Sequence, residues 1–276
     1  MSDTHHTQRI EQYYRDMRSL IDIVTAQNGY ANLGWLPEHS SGDYQTAQRL
    51  LVRTIADQLQ LRPQFRVLEI GCGLGGPARQ IATEFSCEVY GLELLRSQID
   101  AGQKTLTAKD TIHLIQASAQ ALPFPRETFE AVYSLESAFH YPDKSKFVSE
   151  VAAVLKPGGR FAIADVLFTG NRRNGWRERQ VLRALGAHSL YTEAKYREAA
   201  QQNGLRFVSR TDLTSGVCRS VQKMAPLIFQ HWHTLRDAHY ANWYLLAIAA
   251  IAKLSPITYP IVPVRYTLLG FEKSLR

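Results

Sequence analysis

One stretch, Arg66-Val67-Leu68-Glu69-Ile70-Gly71-Cys72-Gly73-Leu74-Gly75-Gly76, constrains the fold of this chain more than any other. Arg66–Ile70 reads as a short buried strand that runs straight into a glycine-rich turn. Pro77 then suits the first turn of a helix, because proline lacks only an N–H that would be unpaired there. Glycines let the backbone turn tightly and let a ligand approach main-chain N–H groups at the helix N-terminus. The spacing of Gly71, Gly73 and Gly76 satisfies G-x-G-x-x-G, and Gly75 adds a further bare position. Strand, turn and helix in this order point to a nucleotide-like cofactor.

From residue 66 onward strands and helices alternate, the mark of a mostly parallel doubly wound sheet. The pattern predicts strands at 66–70, 88–92, 112–117, 131–135, 160–165, 207–212 and 265–272. Helices are expected over 77–85, 98–105, 144–155 and about 193–203, the third stopped by Pro157-Gly158-Gly159. Before the first strand, Ile10, Tyr13, Tyr14, Met17, Leu20 and Ile21 recur at helical spacing. A second helix follows from Asp43 through Leu59, after the aromatic loop Tyr30–Pro37. Three parts result: a helical cap over 1–60, a core over 61–166, and a remainder over 167–276. In that remainder, 167–192 and 214–262 read as additions over one edge of the sheet. Ligands of such sheets bind at the carboxyl ends of the strands.

Composition narrows the partners. Its 276 residues suffice for a large core, and the net charge of +7 is spread without a dense Lys/Arg block, so no nucleic-acid partner is expected. Cys72, Cys87 and Cys218 are isolated, which argues for a reducing, cytoplasmic setting and against a metal site. The first residues lack a signal-peptide pattern. The apolar window Trp243–Leu254 is shorter than the ~20 residues of a membrane span and reads as a buried or pocket-lining helix.

Two carboxylates define the ligand. Glu93, about 20 residues beyond the glycine turn and at the end of strand 2, can accept both hydroxyls of a ribose, in a nicotinamide or an S-adenosylmethionine site alike. Glu69 sits inside strand 1, where a charge is costly without a partner. A cofactor bearing an ammonium and a sulfonium would be such a partner; a pyrophosphate would not.

Further signposts are Leu122-Pro123-Phe124-Pro125, Phe129-Glu130-Ala131-Val132 and Leu155-Lys156-Pro157-Gly158-Gly159-Arg160. With Val67–Gly73 and Glu93, they make residues 64–166 resemble a class I S-adenosylmethionine-dependent methyltransferase. The likeness is to the small-molecule branch, which includes sterol, tocopherol, sugar and polyketide tailoring enzymes. Tyr30-Ala31-Asn32-Leu33-Gly34-Trp35 resembles the cap motif of that branch. The resemblance implies a Rossmann-like α/β fold with an antiparallel last strand, a helical cap and helical lid insertions. It implies S-adenosylmethionine as cofactor, held by Glu69, Gly71, Gly73, Gly75, Glu93, Leu94, Gln98, Ser118, Ala119, Gln120 and Leu135. The family usually has an aspartate where Ser118 stands, so the adenine contact there is altered.

Methyl transfer to a hydroxyl or carbon acceptor needs a base beside the methyl group. His140, after strand 4, is the candidate, with Asp165 at the end of strand 5 to fix its tautomer. Tyr14, Trp35, Glu136, Trp176 and His188 are candidates for contact with the acceptor. The arginines of 172–179 either clamp an anionic group or form a solvated face. The acceptor is expected to be largely apolar (a terpenoid, polyketide or aromatic metabolite), methylated on oxygen, carbon or nitrogen, and both a monomer and a homo-oligomer stay open. The alternatives are an NAD(P)-dependent oxidoreductase, a nucleic-acid methyltransferase, and a non-catalytic cofactor-binding or cyclase protein.

Overall fold

A computed structural model describes residues 3–26, 28–107, 110–169, 179, 182–183, 186–258 and 263–275. The chain forms two compact units, Met1–Leu51 with Leu213–Val262, and Val52–Asp212 with Pro263–Arg276. The N-terminal segment groups with the helical insertion near the C-terminus, a pairing distant in sequence that no local pattern announces.

The sheet unit holds seven strands in the order β3-β2-β1-β4-β5-β7-β6. They are β1 Arg66–Ile70, β2 Glu88–Glu93, β3 Ile112–Gln116, β4 Phe129–Leu135, β5 Leu155–Phe168, β6 Leu205–Asp212 and β7 Val264–Lys273. The first five run parallel, while β7 inserts antiparallel between β5 and β6. Val67, Leu68, Ile70, Ala131, Val132 and Tyr133 are fully buried, as central parallel strands covered on both faces must be. Strand order reverses between β1 and β4, which opens a crevice at their carboxyl ends.

Helices α1 Asp3–Val24 and α2 Tyr44–Leu59 precede the sheet, and α3 Gly76–Phe85, α4 Arg96–Gln103, α5 Lys144–Val154 and α6 Glu193–Gln202 connect its strands. Helix α5 starts at Asp143, whose carboxylate accepts the Lys146 N–H at 2.9 Å, and ends a residue earlier than expected. Pro157-Gly158-Gly159 does not separate helix from strand. It lies within β5 as a bulge, because Phe129 pairs with Leu155 while Ala131 pairs with Arg160.

The helical unit contains α1, α7 Thr214–Gln222, α8 Met224–Gln230, α9 Trp232–Asp237 and α10 Asn242–Thr258. Leu20, Val24, Tyr44, Ile228, Leu235, Leu245, Ala249 and Ala252 form its core. Only one stripe of α10 is buried, against the expectation of a buried or pocket-lining helix: Trp243 is 72% and Ile251 64% exposed. No helix among the described residues is long and apolar enough to cross a membrane.

Loop 30–37 is fastened to α7. Arg219 donates to the Leu36 carbonyl from Nε at 3.1 Å and Nη2 at 2.9 Å, and Ser220 Oγ donates to the Leu33 carbonyl at 2.6 Å. Trp35 lies against bare backbone: a Cβ at Gly216 would stand 2.2 Å from its indole Nε1 and 2.7 Å from the Leu36 carbonyl oxygen. Gly216→Ala is expected to destabilise the helical unit by about 1–3 kcal/mol through overpacking, read as a lower urea midpoint with an unchanged slope.

Candidate active site

The crevice between β1 and β4 brings together most of the residues singled out from the sequence. Gly71 leaves β1 with φ 79°, in the left-handed region. Space forbids a side chain there as well, since a Cβ would sit 2.4 Å from Ser137 Cβ and 2.9 Å from the Tyr141 hydroxyl. Gly71 and Cys72 both donate their N–H to the Leu92 carbonyl, at 2.7 and 3.0 Å, which pins the turn against β2. Gly75 is the N-cap of α3.

Glu93 does more than end β2. Its Oε2 accepts the Gly73 N–H at 3.1 Å and its Oε1 the Leu95 N–H at 3.0 Å. Burial raises its pKa, and these main-chain bonds work against that rise. The carboxylate assigned to a ribose therefore also shapes the glycine turn. Each oxygen keeps a second lone pair for a hydroxyl donor. Gln98 Oε1 lies near Gly73, 3.3 Å from where its Cβ would be, and the Leu94 carbonyl accepts from Gln116 Nε2 at 3.3 Å.

Glu69 is buried at 1% exposure, between Gly91 of β2 and Tyr133 of β4. Desolvation pushes its carboxyl up to about 8, and the charge of Glu93 adds to the rise. The Tyr133 hydroxyl and the Ala78 N–H pull the other way. Even so, its Oε2 makes no hydrogen bond of ordinary length. A buried carboxylate with an oxygen unsatisfied is complementary to a cation.

After β3, Ser118 Oγ accepts the Gln120 N–H at 3.1 Å and Ala119 is buried in the core. Gln120 departs from the expected cofactor contact. Its amide is engaged with the Asp143 main chain, donating to the carbonyl at 3.0 Å and accepting the N–H at 3.3 Å. At the end of β4, Leu135 is buried and Glu136 takes a left-handed φ of 49°, costly for a non-glycine residue and concentrated at functional positions. The Tyr266 hydroxyl donates to Glu136 Oε1 at 2.7 Å.

A 3₁₀ turn, Ala138–His140, follows. Ser137 Oγ and the Tyr141 hydroxyl, on either side of it, both reach the Ile70 carbonyl, at 2.8 and 3.1 Å. These hydroxyls tie the turn directly to the end of β1, and the sequence reading missed them. His140 is buried, with Nδ1 3.1 Å from the Gly186 carbonyl. A carbonyl can only accept, so Nδ1 carries the proton and a neutral ring has its lone pair on Nε2.

The expected His140–Asp165 couple is corrected here. The Gly186 carbonyl occupies the position at Nδ1 where a triad would place an aspartate. Asp165, fully buried, accepts the Val166 N–H at 2.7 Å, and the charge that lowers its pKa against burial is Lys144. His188 is exposed and its N–H meets the Phe139 carbonyl at 2.9 Å. Tyr14 and Trp35 belong to the helical unit, Tyr14 edge-on to Tyr13 at 5.4 Å. Trp176, Arg172, Arg173 and Arg177 lie outside the described residues. Among the described residues no group of His, Cys, Asp and Glu is placed to hold a metal ion.

Residues 68–163 match the model of a methyltransferase domain. The 27-O-demethylrifamycin SV methyltransferase of Amycolatopsis mediterranei is 30% identical over 208 residues, which cover 73% of this chain and 75% of that one. The chain belongs to the class I S-adenosylmethionine-dependent methyltransferases. Methyltransferase GfsG of Streptomyces halstedii is 29% identical over 168 residues, 59% of this methyltransferase, and the match spans 60% of the relative's length. The fold is also that of geranyl diphosphate C-methyltransferase from Streptomyces coelicolor A3(2), with a TM-score of 0.70 at 18% identity over 94% of this chain and 98% of that one. Family membership displaces the nicotinamide oxidoreductase alternative.

Proposed function

We propose that this methyltransferase moves a methyl group from S-adenosylmethionine to a largely apolar small-molecule acceptor, with His140 as the base. The observation that carries the reading is Glu69, a buried carboxyl with an unsatisfied oxygen beside the glycine turn. Glu69 would hold the cationic methionine end, Gly71–Gly75 leave room for backbone approach, and Glu93 would meet the ribose. Ser118 and Ala119 would meet the adenine, and Leu94, Gln98 and Leu135 are the further candidates for contact with the cofactor. When bound, S-adenosylmethionine supplies an electrophilic methyl group on a positively charged sulfur.

His140 would accept the acceptor's proton at Nε2 as the methyl carbon bonds to the acceptor and its bond to the donor's sulfur breaks, leaving the neutral thioether. The Gly186 carbonyl holds the resulting imidazolium through Nδ1–H. A small-molecule acceptor is supported by the names of the Amycolatopsis and Streptomyces coelicolor enzymes, which specify such acceptors. Glu136, strained and held by Tyr266, and His188 are the candidates for its polar groups.

Mass spectrometry of a source extract incubated with the deuteromethyl donor tests the reading. A labelled low-mass, organic-extractable product is expected. Label confined to RNA, DNA or protein would overturn it.

A further inference from the structure

We propose that Lys144 is a positioning residue for His140, its buried ammonium tying the turn that carries the histidine to the segment that fixes its ring, with Asp165 as its counter-charge. The proposal rests on the reading of His140 as the base. Lys144 is 1% exposed and is the first residue of α5. Both facts are unfavourable in themselves: lysine is almost never fully buried unless paired, and a cation at a helix N-terminus opposes the macrodipole.

Its contacts supply the reason. Lys144 Nζ donates to the Tyr141 carbonyl at 2.9 Å and to Ser189 Oγ at 2.8 Å. It also stands 5.4 Å from the centre of the Tyr191 ring. Tyr141 is the residue after His140, and Ser189 lies three residues beyond Gly186, whose carbonyl meets His140 Nδ1. Between these points the Phe139 carbonyl accepts the N–H groups of His188 and Ser189, at 2.9 and 3.3 Å. The turn 138–141 and the segment 186–189 are thus two short irregular stretches of chain, and Lys144 bridges them with one charge-assisted bond to each.

Asp165 completes the arrangement from β5. Burial pushes the Lys144 ammonium down and the Asp165 carboxyl up from their ordinary ranges, and each charge opposes the other's shift. Asp143, the N-cap of α5, also favours the ammonium. Asp165 is thus a charged neighbour of Lys144, while the Gly186 carbonyl is the group at the ring.

The test reads the ring itself and needs no acceptor. Long-range ¹H–¹⁵N spectra of the histidine-labelled chain, with His140 assigned by comparison with His140→Gln, report which ring nitrogen carries the proton. The wild type is expected to show a protonated Nδ1 and an unprotonated Nε2. Lys144→Met keeps the bulk and removes the donors; it is expected to bring up a second, Nε2–H signal while affinity for S-adenosylmethionine by calorimetry stays within about twofold, under 0.5 kcal/mol. Ser189→Ala, which removes one acceptor and is safe if Lys144→Met does not fold, should produce the same signal more weakly. An unchanged His140 spectrum in the variants overturns the positioning role and leaves the base reading intact. An Nε2–H tautomer already dominant in the wild type overturns the base reading and the positioning role with it.

Discussion

Glu69→Gln is expected to weaken S-adenosylmethionine binding about a hundredfold, an effect of about 3 kcal/mol, within the range for removing one partner of a buried charge pair. The substitution is close to isosteric, so the strand and the Tyr133 neighbour stay in place while the charge is lost. A neutral amide cannot compensate an ammonium and a sulfonium in a site closed to water. Calorimetry on both proteins checks this, with S-adenosylhomocysteine as a control. That ligand keeps the ammonium and lacks the sulfonium, so its loss separates the two charges. The same residue sets a pH dependence. In the unfolded chain Glu69 ionises near its ordinary 4.5, and in the folded protein without ligand near 8. The folded state holds the proton longer, so Glu69's contribution to stability is full below 4.5 and is lost as pH rises toward 8. Thermal melts from pH 5 to 8 should show Glu69→Gln gaining on the wild type as pH rises.

His140→Ala is expected to lower turnover by ~10²–10⁴ while leaving affinity for the methyl donor within about twofold. The asymmetry follows from where the ring sits. Its Nδ1 donates to the Gly186 carbonyl, so a neutral ring takes up a proton at Nε2. In the proposed function the donor's groups are met by the glycine turn, Glu69 and Glu93 instead. Transfer of the deuterated methyl to the acceptor found in the source extract, measured as an initial rate, gives turnover; calorimetry gives affinity. Equal losses in both would make His140 a holder of the cofactor. Unchanged turnover would remove it from the chemistry.

Much of the sheet was legible because central parallel strands are short apolar runs between polar, helix-forming segments. Arg66–Ile70 and Glu88–Glu93 are such runs, and both were found to within a residue. The glycine turn was legible because both φ and space exclude side chains at Gly71. What stayed hidden depends on contacts between distant residues. The grouping of 1–51 with 213–262 arises from packing among helices whose apolar faces carry no partner label. Asp165 was read as the partner of the His140 ring, and only the folded chain shows Lys144 as its charged neighbour and the Gly186 carbonyl at the histidine. Lys144 had one readable signal, a cation in the first turn of a helix, which the dipole disfavours. Gln120 reads as a ligand contact by position, but its amide spans to Asp143 across a gap no spacing rule reveals.

In the proposed function a buried carboxyl, neutral when alone, recognises the cationic methyl donor. Calorimetric titration of the wild type with S-adenosylmethionine at pH 7, repeated in buffers of different ionisation heat, counts the protons exchanged on binding. With Glu69 near 8 in the free protein and ionised beside the cation, about one proton is released per donor bound, and Glu69→Gln releases none. Tight binding with no proton release, the same in both proteins, would contradict the account.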